Sequence, residues 1–363
     1  MGNFIFLKSH WEDLSNTGEL AENYVFSDPN TSMIKQGMFA ERLVQYMLAY
    51  DGIEEPSYDN THSNRIKLLK KNDLLPRDID DTLYVIRKMR NDATHAGDDD
   101  QKRAKDNLRL TFDLGVWFMQ TYGNYNFEPE PYVEPVETSV KEEQLARENA
   151  ELEEKFKALE SEIENIRRNG KVDQKRRSTG FKNAQSVHLS EAQTRELIDD
   201  QLRHAGWEAD TSNIRYSKGS RPEKGTFKAI AEWPTDSSLG NKGYADYALF
   251  IGEHMVGIIE AKKIDTDVFG ALNAQAKDYA KNIREQDHRY IIKKYAEYFV
   301  PFVYATNGRP YIEQYKEKSG IWGLDTRETF NVPTAVAAWP RPEEMVLDLQ
   351  KDVEEADRQL LMT

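Results

Sequence analysis

Residues 243–262 read GYADYALFIGEHMVGIIEAK. Two apolar runs, 244–251 and 255–259, have strand length and are separated by the turn-forming Gly252-Glu253-His254, which predicts a β-hairpin. Asp246 falls near the start of the first run and Glu260 closes the second, followed by Ala261 and Lys262. A carboxylate inside a sheet needs a partner, because desolvating an unpaired charge is costly, and one divalent cation satisfies two carboxylates at once. Side chains alternate along a strand, so Glu260 and Lys262 point one way and Ala261 the other, and Asp246 from the neighbouring strand meets the first pair. Two carboxylates and the Ala261 carbonyl form an oxygen donor set suited to Mg2+. The plain structural alternative is a salt bridge, Glu260 with Lys262 or Lys263.

Outward from the hairpin, strand-like segments lie at 226–233, 255–263 and 299–305. A helix is predicted over 189–205, with Ser190 as its cap, Leu197, Ile198 and Leu202 on its apolar face and Gly206 as its stop. A second helix spans 269–284. The order helix, three strands, helix, strand predicts an α/β sandwich with a mixed central sheet. Gln275 and Tyr279 are four apart and share a helix face.

Asp246 on one strand, Glu260-Ala261-Lys262 on the next and Gln275-x-x-x-Tyr279 on the following helix resemble the PD-(D/E)xK nuclease core. The Q-x-x-x-Y element beside E-A-K is similar to the R-subunit nuclease domains of type I restriction enzymes and to RecB-like nucleases. Further blocks carry that resemblance over residues 185–345: Ala205-Gly206-Trp207, IAEWP at 230–234, ADY at 245–247, YATNG at 304–308 and WPRPEEM at 339–345. The resemblance implies a Mg2+-dependent endonuclease acting on double-stranded DNA. In it Asp246, Glu260 and the Ala261 carbonyl hold the metal, Lys262 orients water or steadies charge on the phosphate, and Gln275 and Tyr279 contact the site and DNA. An acid from the first helix joins them, Glu191 by position, with Glu196 as the alternative. Sequence recognition would come from specificity and modification (methyltransferase) subunits. An R subunit continues into an ATP-driven motor, and no G-x-x-x-x-G-K-[ST] phosphate loop occurs in this sequence. The chain is therefore read as the N-terminal part of an R subunit, with ATP needed only by a motor outside it and residues 346–363 as a helical lead-in.

The first 126 residues predict a helical bundle, with apolar positions Ile34, Met38, Leu43, Met47 and Leu48 at helical spacing and further segments at 62–71, 79–96 and 108–122. Arg90 and His95 in RNDATH resemble the motif of HEPN ribonucleases, which implies a second, metal-independent site acting on RNA; the structural alternative is a polar network between helices. The region also resembles the helical domain fused ahead of R subunits. Residues 127–135 are rich in Pro and Glu, marking an extended linker. Across 141–169 a heptad seam of Leu145, Leu152, Leu159 and Ile166, with Asn149, Phe156 and Ile163, predicts a coiled coil that self-associates or packs on its own chain. Residues 171–182 form a basic, loop-like stretch placed to touch a DNA backbone. The expected domains are thus 1–126, 127–182, 183–345 and 346–363.

Composition narrows the alternatives. The 363 residues allow several domains, and the absence of cysteine excludes disulfides and thiolate metal sites. No apolar run reaches the length of a membrane span and the first residues lack a signal peptide's pattern, so a soluble cytoplasmic protein is expected. The net charge of −14 argues against nucleic acid, yet its distribution does not. Residues 171–320 carry 24 Lys plus Arg against 21 Asp plus Glu, or +3, which leaves −17 for the rest. A third class of function, a non-catalytic docking module, would use the bundle and coiled coil to bind other subunits.

Overall fold

In the computed structural model, which describes all residues except 1, 56–59, 138–161, 237–241, 264–265, 310–317, 329–330 and 352–363, the chain forms two units, Met1–His188 and Leu189–Thr363. The protein is multidomain, helical in the first unit and α/β in the second. Among the described residues no helix is long and apolar enough to cross a membrane.

Unit one begins with α1 (Glu12–Ser27), α2 (Pro29–Tyr50), α3 (His62–Lys71), α4 (Arg77–Ala96) and α5 (Gln101–Phe118). The sequence of α1 is polar and contains Gly18, which hides it from a periodicity reading. That glycine is required by packing, since a Cβ there would lie 2.3 Å from the Phe4 ring. Asp28 caps α2, accepting from the Thr31 amide at 2.9 Å, with Pro29 in the first turn where a missing N–H costs nothing. Phe4, Phe39, Trp117 and Phe118 are fully buried between the helices. Burial stabilises by roughly 1.5–3 kcal/mol for each large apolar side chain.

Residues 127–135 form neither helix nor strand, and they are tied back to the bundle: the Val133 amide donates to Asn3 Oδ1 at 2.9 Å. The basic stretch is not a loop. Residues Gln174–Ala184 form helix α6, capped by Asp173, which accepts from the Lys175 and Arg176 amides at 2.8 and 3.1 Å. The shortage of apolar residues concealed it. Arg176 is committed to Asp51 at 2.7 Å and to the Tyr50 carbonyl, while Trp117 Nε1 donates to the Gly180 carbonyl at 2.9 Å. Of the heptad seam, Leu145, Asn149, Leu152, Phe156 and Leu159 lie outside the described residues. Its end, residues 162–169, is helical, with Ile163 buried and Arg167 paired to Glu55 at 2.5 Å.

Unit two opens with α7 (Glu191–His204), where Ser190 and Gln193 form a reciprocal capping box. A seven-stranded mixed sheet follows in sequence order: β1 (Glu208–Ala209), β2 (Phe227–Asp236), β3 (Lys242–Ile251), β4 (His254–Ala261), β5 (Phe302–Thr306), β6 (Ile321–Asp325) and β7 (Thr334–Val336). The β1–β2 and β4–β5 pairs are parallel and the others antiparallel. The expected hairpin is β3–β4, with Ile251 opposite His254 and Gly252 at φ +59° in the turn. Between β4 and β5 runs α8, made of Val268–Ala271, Leu272–Ala276 and Lys277–Lys281 in continuous helical conformation, its middle turn widened to a π-helix. Among the described residues the last element is α9 (Pro342–Leu349), and most of the expected lead-in over 346–363 lies outside them.

The sheet separates two cores. On one side Ile230, Trp233, Phe250 and Ile258 pack with Leu272 and Ala276 of α8. On the other, Tyr247, Leu249 and Ile259 pack with Ile198 and Leu202 of α7 and with Trp339. Trp207 Nε1 donates to the Pro340 carbonyl at 3.0 Å, which brings the A-G-W and W-P-R-P-E-E-M blocks together. The side chain of Gln201 donates to the Gly308 carbonyl at 2.8 Å and so ties the Y-A-T-N-G block to α7.

Asp199 on α7 is fully buried and sits in a hydrogen-bond cluster: its carboxyl meets the Thr211 amide at 2.7 Å, the Thr211 hydroxyl at 2.9 Å and the Tyr247 hydroxyl at 2.9 Å. Burial, reinforced by Glu196, pushes Asp199 up to about 7. The folded state therefore holds a proton that the unfolded chain releases near pH 4. The stability this confers is complete below that pH and is lost as the pH rises through about 7, by on the order of 1 kcal/mol per pH unit in between. Asp199→Asn is expected to flatten this component. Denaturant midpoints at pH 5 and pH 8 should converge in the variant relative to the unsubstituted protein; an unchanged difference would refute the assignment.

Candidate active site

The two acids of the hairpin meet at one end of the sheet. Ala231 pairs with Tyr247 and Trp233 with Ala245, yet Glu232 and Asp246, which face each other in that register, make no ladder pair. The pleat breaks there: Ile230 and Trp233, three apart, face the same core, as do Ala245 and Ala248. Glu232 accommodates the break with φ +50°, a conformation that is strained for any residue with a Cβ. The interruption frees Asp246 from the regular alternation at the point where β4 ends.

Asp246 is 6% exposed and both its oxygens are used. Oδ2 accepts from the Ala261 amide at 2.7 Å, and Oδ1 lies 2.8 Å from Nη2 of Arg195. Glu260 is 4% exposed, and its Oε1 accepts from Lys262 Nζ at 2.6 Å. Its Oε2 is buried and accepts no hydrogen bond from any described residue. Lys262 is fixed through its backbone, its amide donating to the Thr306 carbonyl at 2.8 Å just beyond the β4–β5 ladder.

Burial raises Asp246 above the ordinary carboxylate range. Burial, and then the charge of Asp246, raises Glu260 to about 8, while Lys262 opposes the shift. Two carboxylates forced together out of water cannot both ionise cheaply without a further cation. That is the property of a cation-binding pair. Asp246, Glu260 and the carbonyl of Ala261 supply the hard oxygen donors such an ion prefers, and the orphaned Glu260 oxygen is a ready ligand. Among the described residues no group of three or more His, Cys, Asp or Glu is arranged to hold a metal ion.

Tyr279, on α8, lies close to these carboxylates. Burial, then Glu260 and Asp246, raises its hydroxyl to about 12, so it remains a proton donor at neutral pH. Its ring rests against Gly243, where a Cβ would stand 2.7 Å from Tyr279 Cε1. Gln275, in the π turn, is exposed. Glu191, the first residue of α7, is 40% exposed at its side chain and 3.2 Å from Arg195; its charge acts on Asp246 and Glu260. Glu196 is buried instead beside Asp199, which separates the two first-helix candidates by place.

The pair from unit one is not assembled in the same way. Arg90 packs its stem against Gly37 and its head lies 3.4 Å from Glu41. His95 is exposed near the C-terminus of α4, and among the described residues no hydrogen bond or ion pair joins its side chain to that of Arg90.

Three residues of the site escaped the sequence reading: Arg195, Glu232 and Arg215. Arg195 bridges Asp246, Glu191 and Glu232, the last at 3.3 Å, and Arg215 also pairs with Glu232. The signals were present. Arg195 is four residues after Glu191 on one helix face, and Glu232 is an acid inside the apolar run of β2, the same anomaly that singled out Asp246.

Residues 208–349 match the family model described as the second domain of the type I restriction enzyme EcoKI endonuclease subunit. Beyond that match, nearly the whole chain aligns with part of one type I restriction endonuclease subunit. That relative is the Type I restriction enzyme EcoKI endonuclease subunit of Escherichia coli (strain K12), 30% identical over 424 aligned positions that take in 95% of this chain and 36% of the relative. The chain spans about a third of the length of the curated relative it matches. No solved structure matches it.

The contact between Gly243 and Tyr279 gives a direct test of this geometry. In Gly243→Ala the new methyl would also lie 3.0 Å from Thr235 Oγ1, so the tyrosine ring must move. A loss of roughly 1–3 kcal/mol is expected in denaturant unfolding, and Gly243→Ala combined with Tyr279→Ala should recover much of it. Additive losses would show that the two residues are not in contact.

Proposed function

We propose that unit two is the nuclease module of a type I restriction endonuclease subunit, hydrolysing phosphodiester bonds of foreign duplex DNA with Mg2+ held by Asp246, Glu260 and the Ala261 carbonyl. The observation that carries this reading is the buried Asp246–Glu260 pair with one carboxylate oxygen unsatisfied, beside a lysine two residues on, just past the end of β4. The family match and the similarity to the EcoKI endonuclease subunit support it. When bound, the divalent ion acts as a Lewis acid on the scissile phosphate and makes water a nucleophile at neutral pH.

The chain's own groups do the rest. Glu260 holds Lys262 Nζ at 2.6 Å, a distance from which the ammonium orients the attacking water or offsets charge developing on the phosphate. Tyr279, protonated at neutral pH, donates a hydrogen bond to a phosphate oxygen at the mouth of the site, and exposed Gln275 one turn earlier meets the DNA backbone. Glu191 adds charge from α7. Sequence recognition is left to specificity and modification subunits, and ATP to a translocase motor. The assembly works in the cytoplasm, where foreign DNA arrives. Residues 183–345 carry the chemistry, and residues 1–182 serve as an accessory region, with the coiled coil available for docking or self-association.

Asp246→Asn, Glu260→Gln and Lys262→Ala are each expected to lower duplex cleavage by the assembled enzyme at least about 100-fold. Folding should survive, because Glu260→Gln removes a buried charge that is already disfavoured. Plasmid cleavage with Mg2+ and with chelator, alongside thermal unfolding, checks both halves. Normal cutting by all three variants would eliminate the site.

A further inference from the structure

Arg195 holds a position that the nuclease reading leaves unused. Its side chain is 16% exposed and its guanidinium spans three carboxylates: Nη1 is 3.3 Å from Glu232, and Nη2 is 3.2 Å from Glu191 and 2.8 Å from Asp246. Asp246 is the most buried of the three, so in the present arrangement Arg195 supplies the positive charge that this ligand position requires. The arginine is held firmly. Its backbone carbonyl accepts from the Tyr247 hydroxyl at 3.0 Å, and Tyr247 is in turn bonded to Asp199, so the helix turn that carries Arg195 is pinned to the strand that carries Asp246.

Resting on the proposed nuclease site, we infer that Arg195 is a built-in counter-ion that occupies Asp246 until a divalent cation displaces it, and thereby sets the cation affinity of the site. The three acids make the exchange possible. If Asp246 turns to an incoming ion, Nη2 keeps Glu191 and Nη1 keeps Glu232, so the guanidinium is never stranded without a partner. Glu232 is built for this second role. It is held in a left-handed backbone conformation at the break in the β2–β3 ladder, and Arg215 pairs with the same oxygen, Oε1, that faces Arg195. A fixed carboxylate there gives Arg195 somewhere to remain. The arrangement also limits what the site accepts: an ion must carry enough charge to outbid a guanidinium 2.8 Å from its ligand, which favours divalent over monovalent cations. Arg195 is accordingly a positioning residue, acting through Asp246.

Calorimetric titration of the full chain with MgCl2 and CaCl2, and thermal unfolding in chelator and in excess Mg2+, test this. Arg195→Gln is expected to bind the cation about tenfold more tightly, and to unfold at lower temperature in chelator yet regain most of that loss in Mg2+. A purely structural arginine would give the lower unfolding temperature without the tighter binding. Arg195→Lys, which keeps the charge but cannot span two acids, should fall between the two. Glu260→Gln serves as the control. If the unsubstituted protein binds neither ion, or if Glu260→Gln leaves binding unchanged, the metal-site reading falls and this inference with it. If the unsubstituted protein binds and Glu260→Gln does not, while the Arg195 variants bind with unchanged or weaker affinity, the counter-ion role alone is overturned.

Discussion

Two carboxylates on adjacent strands, both driven below the surface at the end of a sheet, dictate much of the second unit's local structure. Asp246 and Glu260 cannot be there as bare charges, and each neighbouring feature answers that demand. The Ala261 amide and Arg195 satisfy Asp246, and Lys262 satisfies half of Glu260. The ladder break at Glu232 brings a further acid within reach of Arg195, and Tyr247 fastens the helix that presents that arginine. Such an arrangement costs stability locally, and the apolar cores on both sides of the sheet offset it.

Unit one shows what a buried acid looks like when its task is only to hold a fold. Asp51 is as buried as Glu260, but Oδ1 is paired with Arg176 at 2.7 Å and Oδ2 accepts from the Tyr122 hydroxyl at 2.9 Å. Every lone pair that matters has a protein donor. Glu260 differs by one oxygen with no described donor, a trait it shares with Asp13 Oδ2 in unit one. Burial alone does not distinguish them.

Much of the second unit could be read from the chain because its signals are local. A two-strand pattern around Gly252, a capped helix at Ser190 and an apolar run ending at Thr306 each follow from neighbouring residues, and the structure contains all three. The pairing of Glu260 with Lys262 follows from strand alternation in the same way. What escaped was non-local or disguised. α1 and α6 are polar helices whose stability comes from packing onto the bundle, as the contacts of Gly18 with Phe4 and of Gly180 with Trp117 show. The short strands β1 and β7 contain too few residues to show a period, and each pairs with a longer neighbour. Arg195 and Glu232 are close only because α7 lies over the sheet, and spacing along the chain says nothing of that.

The parallel pairing of β4 with β5 carries a last consequence. Parallel neighbours cannot be joined by a tight turn, so the chain must leave the sheet after Ala261, cross it and return. Helix α8 is that crossing, and it starts only a short connection, residues 262–267, beyond Glu260. Tyr279 therefore reaches the acids because the route of the chain leaves its helix nowhere else to go. The return leg from Asn282 to Pro301 is packed as well, with Ile283 and Val300 buried in the core beside α8 and Ile291 bridged to Met255, so the helix is held on both its outgoing and returning sides.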